Sequence, residues 1–117
     1  MWLITLLVVL DQITKHFLAI VTNTGAAFGI LKGYNILLLM ISLAALIFCI
    51  FYYFKEKNLR LPLAFLISGI IGNSVDRIFL GHVRDFIDLG FWPIFNLADS
   101  YNFIGVALLI IVLWKKS

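Results

Sequence analysis

Five aspartates, Asp11, Asp76, Asp85, Asp88 and Asp99, lie in or beside stretches apolar enough to cross a bilayer, whereas the single glutamate, Glu56, sits in a short basic linker. An ionisable side chain at the centre of a membrane helix costs at least ~2.5–3.5 kcal/mol on insertion scales, so such residues mark function by default. Asp85 and Asp99 follow one another across a loop and into a helix. Two carboxylates brought together in this way can hydrolyse a peptide without a metal or a nucleophilic side chain. Like charges about 3 Å apart cannot both ionise, so one carboxyl stays protonated as the acid while the other takes a proton from water. Such a pair titrates as a unit, and the sequence does not say which member holds the proton.

Other chemistries have less behind them. His16 and His82 form no H-E-x-x-H pattern and read as interfacial side chains. Ser68, Ser74 and Ser100 have no histidine at an adjacent helical position, and Ser68 reads as a packing residue or one bonded to its own helix backbone. Cys49 is the only cysteine, so no internal disulfide forms and a zinc site lacks ligands. No metal and no organic cofactor is expected.

These residues must be positioned by membrane helices. Of 117 residues, 63% are hydrophobic and 13% charged, with mean hydropathy +1.09, against roughly 25% charged and 45–50% apolar in a soluble domain. The net charge of +3 is not gathered into a nucleic-acid stripe, and its basic residues cluster at membrane edges. A span needs about 20 apolar residues, and the chain supplies four, at about 1–20, 35–54, 59–80 and 95–114, within one membrane domain of residues 1–117. The first lacks a basic leader and holds Asp11, Gln12 and Lys15, so it reads as a retained helix and not a cleaved signal. Trp2 is its expected interfacial anchor.

The expected fold is an all-α membrane protein, a four-transmembrane-helix bundle with short extracytoplasmic loops. Lys55, Lys57 and Arg60 join spans two and three, and Lys115 and Lys116 follow span four. The positive-inside rule then puts both termini in the cytoplasm, although Lys15, Lys32, Arg77 and Arg84 fall toward the other side. Loops 21–34 and 81–94 lie outside, and the polar residues converge at that surface, with Asp11 deeper, near the middle of span one. Asn73, Asp76 and Arg77 share one helix face, as do Asn96, Asp99 and Ser100, with Asp99 in the second turn of span four. Ser68, Gly69 and Gly72 offer small residues for close helix approach. Arg77, directly after Asp76, is expected to pair with it inside the bundle.

Five blocks then follow in order: Asp-Gln-Ile-Thr-Lys at 11–15, Asn-Thr-Gly-Ala-Ala-Phe at 23–28, Gly-Asn-Ser-Val-Asp-Arg at 72–77, Val-Arg-Asp-Phe-Ile-Asp at 83–88 and Phe-Asn-Leu-Ala-Asp-Ser at 95–100. Together they resemble the bacterial lipoprotein signal peptidase (signal peptidase II), a membrane aspartyl protease, in an unusually short form. The resemblance implies an endopeptidase of the bacterial inner membrane, its active site toward the extracytoplasmic face, that removes signal peptides from prolipoproteins by cutting before a diacylglyceryl-modified cysteine. It implies Asp85 and Asp99 as the catalytic pair. Asn23, Gly25, Asn73, Arg77 and Asn96 match positions that bind substrate or support the dyad, and Asp11, Lys15 and Asp76 match structural polar positions. Membrane lipids and a globomycin-type inhibitor are the other implied partners. The chain departs from the pattern between Lys15 and Asn23, where seven residues replace a longer, β-rich outer segment.

Two rival readings stand beside this one. Asp88, three residues beyond Asp85, is an alternative dyad member, but it reads as a residue that holds loop backbone or faces solvent. A small proton-coupled transporter using Asp11 is the alternative function. It would concentrate charge at the midplane and often show inverted repeats, whereas here the polar cluster lies at one surface and the two halves share no repeat.

Overall fold

The computed structural model describes residues 1–23 and 33–116. In chain order it contains α1 (Trp2–Leu18), β1 (Val21–Asn23), α2 (Asn35–Lys55), a single 3₁₀ turn at Lys57–Leu59, α3 (Arg60–Leu80), β2 (Val83–Asp85) and α4 (Leu97–Lys116). Among the described residues, α2, the 3₁₀–α3 unit and α4 are long and apolar enough to cross a membrane. Helix α1 has 17 residues, which at about 1.5 Å per residue makes it roughly 26 Å long.

The helices differ in what covers them. Between its ends α2 carries no charge, and Tyr53 is its sole buried residue. Its apolar side chains face outward, as a helix does when lipid and not protein is its neighbour. The opposite holds for α3, which buries Pro62, Leu63, Ala64, Ile67, Ser68, Gly69, Gly72, Asn73, Ser74, Asp76 and Arg77 and so forms the centre of the bundle. The buried residues of α1 are Ile4, Leu7, Asp11 and Lys15. This 3–4 spacing places a single stripe against the interior, apolar at one end and charged at the other.

The two ends of the bundle are chemically distinct. At one, Ile4, Tyr53, Leu59, Leu63, Ala64 and Ile67 form the apolar core, with Leu109 and Val112 packed against it. The Met1 amino group donates to Tyr53 Oη at 3.3 Å there, and Arg60 Nε donates to the Tyr53 carbonyl at 3.3 Å. The start of α1, the end of α2, the start of α3 and the end of α4 therefore meet at this basic end. At the other end lie the buried aspartates and asparagines.

Helices α3 and α4 pack through glycine. A Cβ on Gly69 would strike the Ala98 carbonyl and the Asn102 side chain, and one on Gly72 would strike the Asp11 carboxylate and Ala98 Cβ. One on Gly105 would come within 2.9 Å of the Pro62 carbonyl and the Leu66 amide nitrogen. Without a hydrophobic drive between helices in lipid, such close backbone approach is what holds them together.

Two expectations need correction. The protein is not wholly helical: β1 and β2 pair antiparallel, with Val21 opposite Asp85, Thr22 opposite Arg84 and Asn23 opposite Val83. Extended backbone leaving a helix at a membrane surface must satisfy its N–H and C=O groups, and the two short connections do so against each other. Helix α4 also begins at Leu97, later than the hydropathy suggests, so Asp99 stands in its first turn and not its second.

Candidate active site

Asp85 and Asp99 reach one site by different routes. Helix α3 ends at Gly81, which adopts φ +76° and donates its N–H to the Arg77 carbonyl at 3.2 Å. This left-handed position, where glycine carries no Cβ penalty, turns the chain out of the helix. Strand β2 follows and is held by β1, with the Ile20 N–H donating to the Asp85 carbonyl at 2.9 Å. The loop beyond it closes on itself: the N–H groups of Phe86 and Ile87 donate to the Phe95 carbonyl at 2.9 and 2.8 Å, and Phe95 N–H returns to the Ile87 carbonyl at 3.1 Å. Asp85 is thereby brought beside Asn96, and Asn96 begins α4.

Asn96 caps that helix. Its Oδ1 accepts the Asp99 N–H at 2.9 Å, and Asp99 Oδ2 accepts the Asn96 N–H at 3.3 Å. This reciprocal pair is a capping box built with Asn and Asp. The same Asn96 side chain donates through Nδ2 to Asp85 Oδ1 at 2.9 Å, to Asn73 Oδ1 at 3.0 Å and to the Arg84 carbonyl at 3.1 Å. Asn73 in turn donates Nδ2 to Asp99 Oδ1 at 3.0 Å. Asn96, fully buried, is thus the hub that ties both carboxylates together, and Asn73 closes the ring.

Beneath this ring lies a second layer of charge. Lys15 and Asp11 are both fully buried, and their ion pair measures 2.8 Å. Lys15 Nζ also pairs with Asp76 Oδ2 at 3.3 Å and donates to the Gly72 carbonyl and Asn73 Oδ1, each at 3.1 Å. Asp11 Oδ1 accepts the Ala98 N–H at 2.9 Å, which places its negative charge at the positive end of α4. Gln12 Nε2 donates to the Gly72 carbonyl at 3.1 Å and Asp76 Oδ1 at 3.2 Å. Arg84 completes the layer with a two-pronged contact to Asp76, Nη2 to Oδ1 at 2.9 Å and Nε to Oδ2 at 3.3 Å.

Burial pushes the Asp85 carboxyl up to about 7, and the neighbouring Asp99 charge pushes the same way, outweighing the Asn96 hydrogen bond that opposes them. A carboxyl in this range carries a proton for about half the molecules near neutrality. That matches what an acid–base pair working at neutral pH requires.

The sequence-derived candidates divide as follows. Asn73, Asn96 and Asp99 form one hydrogen-bonded ring, and Asp85 joins it through Asn96. Asp11, Lys15 and Asp76 lie in the layer beneath. Arg77 is buried at the same end, and its charge acts most strongly on Asp99, then on Asp76 and Asp85. Asp76 forms ion pairs with Lys15 and with Arg84, which reaches it from β2, and the charge of its chain neighbour Arg77 acts on it as well. Asn23 contributes backbone to β1; its side chain and Gly25 lie outside the described residues. Asp88 accepts the Gly90 N–H at 2.9 Å on the exposed loop, holding backbone as expected. Ser68 donates to the Ala64 carbonyl of its own helix at 2.7 Å. The sequence assigns Gln12 no role in the site, and Arg84 enters it only as one of four basic residues on the outer side. The signal for Arg84 is its place on the side where the positive-inside rule disfavours basic residues.

A family model for signal peptidase (SPase) II matches residues 3–115. The chain belongs to the signal peptidase II family. It is 44% identical over 102 residues to a lipoprotein signal peptidase of Halothermothrix orenii, covering 85% of this chain and 70% of that one. It is 42% identical over 118 residues to the lipoprotein signal peptidase of Streptococcus thermophilus, covering 92% and 77%. Its fold superposes with a TM-score of 0.89 on a bacterial membrane enzyme solved by the in meso method at 2.3 Å, at 32% identity over 97% of this chain and 86% of that one. A second such structure, at 1.9 Å, gives a TM-score of 0.84 at 33% identity over 99% and 92%. Signal peptidase II is a family of aspartic peptidases that act on lipoprotein signal peptides, and the transporter reading falls away. Asp11, on which that reading depended, is not alone at depth but held by Lys15 and the Ala98 N–H.

Proposed function

We propose that the protein is an intramembrane aspartic endopeptidase that cuts prolipoproteins before a diacylglyceryl-modified cysteine, with Asp85 and Asp99 as the reacting pair. The observation that carries this reading is the shared Asn96 side chain, which bonds Asp85 directly and is locked to Asp99 through the capping box. Water held between the carboxylates loses a proton to the ionised one as its oxygen attacks the scissile carbonyl. The protonated carboxyl gives its proton to the carbonyl oxygen, forming a tetrahedral diol. Proton transfer to the peptide nitrogen then breaks the C–N bond and releases the new amino terminus. Asn73 and Asn96 hold the carboxylates in register, and Arg77 supplies positive charge near Asp99. Asn23 and Gly25 are assigned to substrate by their place in the second sequence block. This chemistry assigns the chain no metal or organic cofactor.

In this reading residues 1–117 form one membrane domain in which α1 joins the three longer helices as a fourth span of the bacterial inner membrane. The basic end, with Lys55, Lys57, Arg60, Lys115 and Lys116, faces the cytoplasm together with both termini. The aspartates then lie at the extracytoplasmic surface, where the lipidated cysteine of the substrate resides. Its acyl chains would rest among membrane lipids and outward-facing apolar side chains. A globomycin-type cyclic peptide would compete by occupying the space between the carboxylates.

The test is a gel-shift cleavage assay with a diacylglyceryl-modified prolipoprotein and an unlipidated copy. Cleavage of the lipidated form alone, lost in Asp85→Asn and Asp99→Asn and kept in Asp88→Asn, supports the reading. Activity surviving in Asp85→Asn or Asp99→Asn would reject the dyad.

A further inference from the structure

We infer that Arg84 is a positioning residue for the reaction, clamping the strand that carries Asp85 onto the helix bundle. The inference rests on Asp85 and Asp99 being the reacting pair. Strand β2 is three residues long and pairs with one other three-residue strand. A two-stranded ribbon of this size is marginal by itself, so something else must fix the depth of Asp85. The backbone N–H of Arg84 donates to Asp76 Oδ2 at 3.0 Å. Its guanidinium takes the same carboxylate in a two-pronged grip and donates to Gln12 Oε1 at 2.9 Å. The planar fork of arginine matches a carboxylate in a way that lysine cannot. Side chains alternate along a strand, so anchoring Arg84 to α1 and α3 sets the direction in which Asp85 leaves the backbone.

The clamp also carries charge. In the buried layer Lys15 and Arg84 offset Asp11 and Asp76. The charged groups facing Asp85 are Asp99 from α4, Lys15 from α1, and Asp76 and Arg77 from α3, with Arg84 adjacent on its own strand. Asp76 acts on Asp85 as a like charge and raises its proton affinity. Loss of the Arg84 cation leaves Asp76 less neutralised and removes a positive neighbour. Both effects favour protonated Asp85.

The experiment uses the full chain in detergent micelles with the lipidated prolipoprotein, comparing wild type, Asp85→Asn, Arg84→Met and Arg84→Lys across pH. For Arg84→Met, kcat is expected to fall by up to about a hundredfold, the loss associated with a 1 Å misplacement, with KM little changed. Its alkaline limb is expected to move up by about half to one pH unit. Arg84→Lys keeps the charge and loses the fork, so its limb stays in place while kcat still falls. A kcat loss in Arg84→Met with an unmoved pH profile means only that fewer molecules are folded, and overturns the inference. If Arg84→Met does not fold, Arg84→Lys decides, with kcat taken per folded molecule counted by the monodisperse fraction in size-exclusion chromatography: wild-type kcat overturns the clamp, and reduced kcat at unchanged KM and pH profile upholds it. An inactive wild type or an active Asp85→Asn removes the reading of the dyad and the clamp with it. A working wild type, a dead Asp85→Asn and wild-type-like Arg84 variants remove the clamp alone.

Discussion

Replacing Asp11 by Asn should destabilise the bundle strongly, although Asp11 takes no part in the proposed chemistry. The carboxylate is fully buried and serves three partners, Lys15 Nζ at 2.8 Å and Gln12 Nε2 at 3.2 Å through Oδ2, and the Ala98 N–H at 2.9 Å through Oδ1. Asn keeps an acceptor for Ala98 but sets an NH₂ group against two donors, Lys15 Nζ and Gln12 Nε2, and leaves the layer with one uncompensated positive charge. Removing one partner of a buried ion pair costs about 3–5 kcal/mol. Lys15 retains Asp76 at 3.3 Å, so the low end, about 3 kcal/mol, is expected. Ala also removes the helix cap, adding about 1 kcal/mol. Reversible unfolding in mixed detergent–SDS micelles measures both variants. Because the pair is buried, the differences should change little with salt. Pairing Asp11→Asn with Lys15→Met should cost less than the two single changes summed, because the stranded charge is gone. A cost below about 1 kcal/mol for both single Asp11 variants, or Ala milder than Asn, would refute the idea that this charge layer holds α1 against α4.

The remaining expectations concern the ring above that layer. Cleavage rate should fall above an apparent pKa of about 7, the value to which Asp85 is raised, as the pair loses the proton that serves as its acid; a rate flat from pH 6 to 9 would contradict this. The same shift makes a stability prediction. Asp85 is raised from 3.8 to about 7 in the fold, so its contribution is full below the unfolded value and is lost as pH rises through 7, by up to about 4 kcal/mol. Asp85→Asn should therefore be inactive yet more stable than wild type at pH 8, and unfolding at pH 5 and 8 would check the sign. Asn96→Ala removes the α4 cap and both ties to the carboxylates, and is expected to cost about 1–2 kcal/mol and to lower kcat by about a hundredfold. Gly105→Leu should force α3 and α4 apart, costing about 1–3 kcal/mol in the same unfolding assay, since even a Cβ there lies 2.7 Å from Leu66 Cγ.

Much of this protein is written in its linear order. The charge-free run within α2 and the long apolar runs of α3 and α4 specify helices because lipid offers backbone groups no alternative partner. Four of the five polar blocks supply residues that the fold gathers at the candidate site, the second lying mostly outside the described residues, and the 3–4 spacing of Asn73, Asp76 and Arg77 puts them on one face. What the sequence does not decide is who pairs with whom. Asp76 feels its chain neighbour Arg77, and it also takes Lys15 from α1 and Arg84 from β2. Three-dimensional proximity and the need to neutralise every buried charge add partners that adjacency does not name. The depth of Asp85 likewise depends on a two-stranded ribbon too short to be heard in the pattern, and on the closing of a loop between Ile87 and Phe95. Asn96 becomes the hub because the helix starts one residue after it, a boundary that hydropathy misses by two residues. Hydropathy reports transfer from water to lipid, residue by residue, and sets the spans. Hydrogen-bond satisfaction is a property of the assembled bundle, and it alone determines the geometry of the site.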